Sequence, residues 1–439
     1  MNTEIKLEDI LEFSKKYREN KENKKIENEI TKLGLEEACY RKEIVDDNPF
    51  VFNIELPEGN IYNQKENHKC WIYAGLNVIK YDVAKNMNID LKELELSEEY
   101  IAFFDKLEKT NTIYETVIDM KEDYNCKEVI RKVKMYMTEA GYFSMFAAIV
   151  EKYGIVPSSV MQKSFEDSNF QKIENVLTEK VKKDILLLIN MKKENQAREK
   201  LEIKKKEFLQ ENYEMLSKIL GEPVHEFNYS YKNKNKEKKV EKCITPMHFK
   251  EKYLKIDLND FVAIGNFVNG DKEFNEMYLK SKIQNVIGKS EVKYLNLPIE
   301  ELKKMVLEQL KDGLPVWSGM YIRKGENEKL GILDTRLYDY ENMIGLKTLT
   351  KKEGLETQDI FIHHAMTICG VYIENEKPIR WKVEDSYGEN EKIKGYYVMN
   401  DNYFDKFILN VIVNKKYLNN RQKELLENDV IYSGEEEMF

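Results

Sequence analysis

Apolar residues recur with a helical period through much of the first half of the chain. From Cys70 to about Asn86 they are spaced three or four residues apart, which predicts a helix that begins at Cys70. Ser97 precedes two glutamates and predicts the N-cap of the following helix. Residues 1–50 are strongly charged and partly helical in their spacing. The pattern thus predicts a helical lobe that follows a charged, helical N-terminal arm.

The middle and the last third of the chain have different patterns. Residues 166–300 are rich in Lys, Glu and Asn and predict a mainly helical insertion, with a polar, Lys-rich connector at 229–242. Beyond residue 300, short β-like runs are separated by glycines and charged turns, at 315–319, 365–372, 380–384, 395–399 and 407–413.

These patterns together predict a two-lobed α+β protein with a cleft between its lobes. The expected divisions are an arm and helical lobe at 1–165, the insertion at 166–300, a β-rich lobe at 301–420 and a tail at 421–439.

Composition and charge exclude several classes of protein. A chain of 439 residues with 42% hydrophobic residues can form a large core, and its net charge of −9 argues against general nucleic-acid binding. The five scattered cysteines include no CxxC pair, which suits reduced thiols in the cytoplasm rather than a disulfide framework or a zinc site. Neither a signal peptide nor a membrane span is expected. We expect a soluble cytoplasmic protein without a metal or a cofactor.

One cysteine has the surroundings of a nucleophile. Cys70 lies at a predicted helix start, where backbone N–H groups and the positive end of the helix dipole stabilise a thiolate. A buried structural role is commoner for an intracellular cysteine, but Gln64 upstream and Trp71 directly after favour the nucleophile. The Gln64 side chain and the backbone N–H of Cys70 are candidate donors to an oxyanion.

A histidine and an aspartate in the β-rich lobe complete the candidate chemistry. His364 stands at the start of a predicted strand, which suits a rigidly held base, whereas His363 would point to the opposite face. Asp385 follows the next predicted strand and could accept the second N–H of the imidazole. The alternative interpretations are two loop histidines and an ordinary turn aspartate.

Segments along most of the chain resemble one family. They lie at 63–71, 96–100, 104–109, 151–157, 309–317, 331–334, 339–341, 364–366 and 415–418. In this order they are similar to the bleomycin hydrolase and aminopeptidase C family of intracellular papain-like cysteine peptidases. The resemblance implies a papain-like fold with a β-barrel-like lobe and large helical insertions, a homohexameric ring, and removal of N-terminal residues from peptide substrates. It implies Cys70 as nucleophile, His364 as base and Gln64 in the oxyanion hole, with the C-terminus, here Phe439, holding the substrate amine.

Four features depart from the family pattern. Asp385 and Tyr387 replace the family's Asn and Trp, and the aspartate charge should favour an imidazolium. His68 replaces a Gly two positions before the nucleophile, and residues 140–143 replace a Gly-Gly pair in the substrate-binding region. The acidic tail at 434–439 differs from the family's small-residue terminus. The substrate-binding residues expected here are His68, Trp71, Gly141, Tyr142, His363 and Phe439.

Three hypotheses about function remain open from the sequence. The leading one is a cytoplasmic thiol aminopeptidase, and the second is a thiol amidase that acts on a small peptide-like compound. The third is a ring-shaped binding protein with a vestigial site, against which the joint presence of Cys70, Gln64 and His364 argues. Nucleic-acid binding would depend on the Lys-rich stretch at 232–242 alone, and the acidic total makes it unfavourable.

Overall fold

The computed structural model of the chain describes most of its length. The described residues are 4–65, 67–120, 129–130, 133, 136–138, 140–165, 170–281, 284–289, 291–322, 330–388 and 394–432. Helices α1 to α7 are Leu7–Glu19, Lys21–Leu33, Leu35–Cys39, Lys42–Asp46, Cys70–Met87, Glu98–Asp119 and Phe143–Tyr153. Helices α8 to α15 are Phe170–Lys193, Arg198–Leu220, Pro246–Tyr253, Ile299–Lys311, Tyr340–Ile344, Lys351–Glu356, Asp401–Phe407 and Asn420–Leu425.

A large sheet forms the β-rich part of the molecule. Strands β1 to β7 are Ile54–Glu55, Phe227–Lys232, Lys238–Ile244, Phe261–Gly265, Glu276–Ser281, Val292–Asn296 and Val316–Met320. Strands β8 to β13 are Ile332–Leu333, His364–Glu374, Lys377–Glu384, Tyr396–Asn400, Ile408–Asn414 and Val430–Tyr432. Within the described residues the sheet has eleven strands. Ten of them pair in the order β13-β5-β6-β4-β12-β7-β9-β10-β11-β8, and the eleventh, β1, pairs with β9. Most neighbouring strands are antiparallel. The central strands β7, β9 and β12 are each hydrogen-bonded to a neighbour on both sides.

Helix α5 lies at the centre of the core because it is apolar around almost its whole circumference. It contacts β7 and β9 of the sheet and the helices α6 and α7. Tyr73, Leu76, Ile79 and Val83 are completely buried along it. The helix that begins at Cys70 is therefore packed between the large sheet and the helices α6 and α7.

Most of the predicted elements are confirmed, and one region differs. The helix from Cys70, the Ser97 cap and the five β-like runs are all present, and the Ser97 hydroxyl accepts from the Tyr100 N–H. Within 166–300 the helices are α8, α9, the short α10 and the start of α11, whereas β4, β5 and β6 of the same range join the large sheet.

The expected polar connector at 229–242 is instead part of the separate β2–β3 hairpin. Aromatic residues occupy every second position of β2, so Phe227, Tyr229 and Tyr231 lie on one face of the strand. Their rings contact those of Phe249 and Tyr253 in α10. The lysines of the segment are therefore left on the outside of an ordered hairpin. Across the described residues, none of the helices is both long enough and apolar enough to cross a membrane.

Candidate active site

The thiol of Cys70 lies at the N-terminus of α5 and opens onto a cleft. The turn before it is closed by Asn67, whose side-chain oxygen accepts from the Lys69 N–H at 3.2 Å. Lys69 is itself buried, and its Nζ lies 3.1 Å from a carboxylate oxygen of buried Glu99. Because Cys70 is the first residue of the helix and only half-buried, its sulfur and N–H are at the helix end that favours negative charge.

His364 and Asp385 lie together because their strands are neighbours. His364 is the first residue of β9, and Asp385 directly follows β10, the antiparallel partner of β9. The Nε2 atom of His364 is 2.9 Å from Oδ1 of Asp385, and that oxygen also accepts from the Ser386 N–H at 2.7 Å. The Tyr387 ring stacks on the imidazole with centroids 5.4 Å apart and planes 20° apart. The ring in the position of the family's Trp thus covers the histidine.

Electrostatics favour the protonated form of this histidine. Burial by itself lowers the pKa of His364, but the negative charge of Asp385 and the interactions with Cys70 outweigh it and raise that pKa to about 10. The imidazolium form is therefore retained across the neutral range. A thiolate nucleophile requires such a positively charged partner.

Gln64 is held firmly beside the thiol. Its side chain is buried, its Nε2 donates to the Asn67 carbonyl at 2.7 Å, and its Oε1 accepts from the Ser386 hydroxyl at 2.5 Å. Gln64 lines the same cleft as Cys70, and its Nε2 carries a second hydrogen besides the one donated to Asn67. Ser386 therefore orients both the donor and Asp385, a role that the sequence analysis missed although Ser386 lies between Asp385 and Tyr387.

The cleft brings together most of the residues predicted to bind substrate. It has a volume of about 620 Å³, and Gln64, Cys70 and His364 line it, whereas Asp385 does not. The residues predicted to bind substrate that line it are His68, Trp71, Gly141, Tyr142 and His363. Phe439 lies outside the described residues. A larger cavity of about 890 Å³ lies beyond Tyr142 and Trp317, but neither Cys70 nor His364 lines it.

The two adjacent histidines have different surroundings. The Nδ1 atom of His363 accepts from the Ile322 N–H at 3.4 Å, and its ring lies near those of Tyr321 and Phe361. Only His364 meets Asp385. This division agrees with the alternation expected along a strand. Within the described part of the chain, no group of His, Cys, Asp or Glu side chains could hold a metal ion.

Comparison with known proteins identifies the family. The sequence model of the Peptidase C1-like family matches residues 4–433. The chain belongs to this family. Aminopeptidase E of Lactobacillus helveticus is 35% identical over 433 residues, which cover 98% of each chain. Aminopeptidase C of Listeria innocua is 35% identical over 429 residues, 97% of this chain and 96% of the relative.

A solved structure agrees over the same extent. The crystal structure of pepw from Lactobacillus rhamnosis matches with a TM-score of 0.92 and 31% identity, covering 99% of this chain and 98% of that one. The predicted family, the papain-like α+β fold and the enzyme class, a cysteine-type aminopeptidase, are confirmed.

Proposed function

We propose that this enzyme removes N-terminal residues from peptides through an acyl-enzyme on Cys70, with His364 as the proton-transfer group. The observation that carries the proposal is the arrangement in one cleft of a thiol at a helix N-terminus and a buried His364–Asp385 pair at 2.9 Å. The Gln64 amide completes it as a fixed donor. These are the parts that acyl transfer by a thiol needs: a nucleophile, an oriented base and an oxyanion donor.

Acylation follows from the charges of the site. The sulfur of Cys70 attacks the carbonyl carbon of the N-terminal residue, and the carbonyl oxygen becomes an oxyanion. The backbone N–H of Cys70 and Nε2 of Gln64 donate to that oxygen. The imidazolium of His364 gives its proton to the leaving amine, and the shortened peptide departs.

Deacylation reverses the proton's path. A water attacks the thioester carbon while His364, now neutral, takes one of its protons. The bond to sulfur breaks, the free amino acid leaves, and the thiolate and imidazolium are restored. Asp385 accepts a hydrogen bond from the imidazole throughout and keeps its plane fixed.

Recognition of the free amine is part of the proposal and derives from the family resemblance. There the C-terminus of the chain lies in the cleft and holds the substrate's amine, a role that falls here on Phe439. If so, peptides with a blocked N-terminus will be poor substrates.

We also propose that the enzyme assembles as a homohexamer and is located in the cytoplasm. Helix α1 exposes large apolar side chains, with Leu7 at 74%, Leu11 at 61% and Phe13 at 57% of their full accessible surface. Such a surface supports burial against a second copy of the chain. The unpaired thiols of Cys39, Cys243 and Cys369 support a reducing compartment. Analytical ultracentrifugation of the purified protein would measure the assembly directly.

The test compares aminoacyl fluorogenic amides with free and acetylated amines, using wild type and Cys70→Ala. We expect turnover of the free-amine substrates alone and its loss in the variant. Turnover of blocked substrates as well would contradict amine recognition and favour an amidase or an endopeptidase. A folded wild type without turnover at any pH from mildly acidic to mildly basic would overturn the enzymatic proposal in favour of a binding ring.

A further inference from the structure

Helix α6 buries charged residues that have no part in the catalytic arrangement. Lys106 and Lys109 are exposed by only 1% of their surface, and Asp105 by 2%. Burial of charged groups is costly unless each is paired and hydrogen-bonded. The hydrogen-bond partners of these side chains therefore indicate why a core helix contains charged residues.

Both lysines bind backbone carbonyls of one short segment. The Nζ of Lys109 donates to the carbonyls of Thr138 at 3.1 Å and Ala140 at 3.0 Å, and the Nζ of Lys106 donates to that of Met137 at 3.2 Å. Three carbonyl oxygens are thus held by two buried ammonium groups one helical turn apart.

The bonds of Lys109 use all three of its ammonium hydrogens. Besides the two carbonyls, its Nζ lies 2.9 Å from Oδ2 of Asp105, so each of its three hydrogens has an acceptor. Asp105 is held in turn by the Asn285 amide, which donates to its Oδ1 at 2.9 Å. The ammonium also lies 5.6 Å from the centre of the Trp71 ring. A chain of bonds therefore links the segment to the core and to the residue after the nucleophile.

The held segment forms one side of the active-site cleft. Thr138, Ala140, Gly141 and Tyr142 line the cleft with Cys70. Gly141 packs so closely on Trp71 that a Cβ atom there would come within 2.5 Å of the indole. Without a side chain, Gly141 presents only its backbone to a substrate. We call Thr138, Ala140, Gly141 and Tyr142 the substrate wall.

We propose that Lys109, with Asp105, is a positioning residue for substrate: it holds the substrate wall at the distance from Cys70 that a bound peptide requires. This inference rests on the proposed peptidase function of the cleft. The proposal predicts a selective effect on reactions that need a bound peptide. Loss of Lys109 should impair steps that need a peptide bound along the wall and leave the reactivity of the thiol itself unchanged.

The test labels Cys70 with two reagents and compares their second-order rates by mass spectrometry. Iodoacetamide is small and needs only the thiolate, whereas the peptidyl reagent, an aminoacyl chloromethyl ketone with a free amine, must also bind along the wall. A misplacement of about 1 Å can cost about 100-fold in a positioned reaction. We therefore expect Lys109→Met to slow the peptidyl reagent by about 10- to 100-fold and to leave the iodoacetamide rate near that of wild type.

A double variant and a matched lysine control this experiment. Lys109→Met leaves Asp105 buried without its cation, so Lys109→Met/Asp105→Asn tests the same loss without that charge. Lys192 also binds backbone carbonyls, those of Val117, Ile118 and Met120 at the end of α6, but it does not line the cleft. Lys192→Met should leave both labelling rates unchanged.

Each remaining outcome decides the question. If both reagents slow equally in the folded double variant, or if Lys192→Met reproduces the selective loss, the positioning role is overturned. Peptidyl labelling of wild type no faster than simple alkylation would also overturn it. Because labelling requires no turnover, a wild type that labels selectively but fails on aminoacyl amides would refute the proposed aminopeptidase reaction alone.

Discussion

The two sides of the cleft are held in place by different kinds of bond. On the catalytic side, besides bonds to the backbone, side chains are bonded to each other, as between His364 and Asp385 or between Gln64 and Ser386. On the side formed by the substrate wall, buried Lys109 of α6 holds the backbone carbonyls of Thr138 and Ala140. A bond between side chains needs both residue types, whereas any residue offers a carbonyl. The wall's sequence can therefore change while its position is retained.

A buried ion pair connects two elements of the catalytic side, the helix α5 and the strand β10. Lys80 of α5 and Glu384, the last residue of β10, are 2.8 Å apart, and both side chains are inaccessible to solvent. Cys70 begins the same helix, and Asp385 follows Glu384 directly. This pair therefore joins the helix that begins with Cys70 to the strand that Asp385 follows.

The largest expected effect comes from breaking that pair. Lys80→Met leaves the Glu384 carboxylate buried and without its cation, and loss of one partner from a buried pair costs about 3–5 kcal/mol. We expect the free energy of unfolding, measured by urea denaturation at neutral pH, to fall by about this amount.

Two further variants show whether the buried charge is the cause. Lys80→Met/Glu384→Leu removes both charges and should recover most of the loss. Lys382→Met should cost less, because the carboxylates of Glu55 and Glu58 that pair with Lys382 are 41% and 44% exposed and remain hydrated. A double variant no more stable than Lys80→Met would show that packing, rather than charge, explains the loss.

The second prediction removes the fixed donor on the catalytic side. Loss of one oxyanion donor typically lowers kcat by about 10²- to 10³-fold. We expect Gln64→Ala to show a loss of this order in kcat for a free-amine aminoacyl amide, with little change in the rate of Cys70 alkylation. Ser386→Ala keeps the amide and removes only the hydroxyl that orients it, so its loss should be smaller. Unchanged kcat in Gln64→Ala would remove this residue from the oxyanion hole.

The difference between the catalytic side and the substrate wall also explains which parts of the site could be predicted from the sequence. Cys70 and His364 were visible because each begins an element with a clear period, and Gln64 and Asp385 because their residue types suit the chemistry nearby. The role of Lys109 was not predictable, since its partners are carbonyls that leave no mark on the sequence of the wall. The insertion shows a similar limit: its charged composition predicted a mainly helical segment, but the pairing of β4, β5 and β6 depends on distant strands.

The mildest expected change is a shift in pH dependence. The charge of Asp385 helps to raise the pKa of His364 to about 10, although burial opposes it. Asp385→Asn keeps an oxygen that accepts from the imidazole but removes that charge, so the pKa of His364 should fall. Because the imidazolium is needed beside a thiolate, activity declines as His364 loses its proton. The alkaline limb of kcat/KM should therefore move to lower pH, with modest change at neutral pH.

Stability should follow the same titration. The folded pKa of His364 lies above its ordinary value of 6.5, so its contribution is complete below pH 6.5 and is lost as the pH rises through about 10. The difference in unfolding free energy between wild type and Asp385→Asn should thus be largest below pH 6.5 and shrink toward pH 10. Asp339→Asn alters a carboxylate that does not line the cleft, so it should shift neither the alkaline limb nor the change in stability between pH 6.5 and 10. An alkaline limb that stays in place in Asp385→Asn would mean that the aspartate orients His364 without controlling its charge.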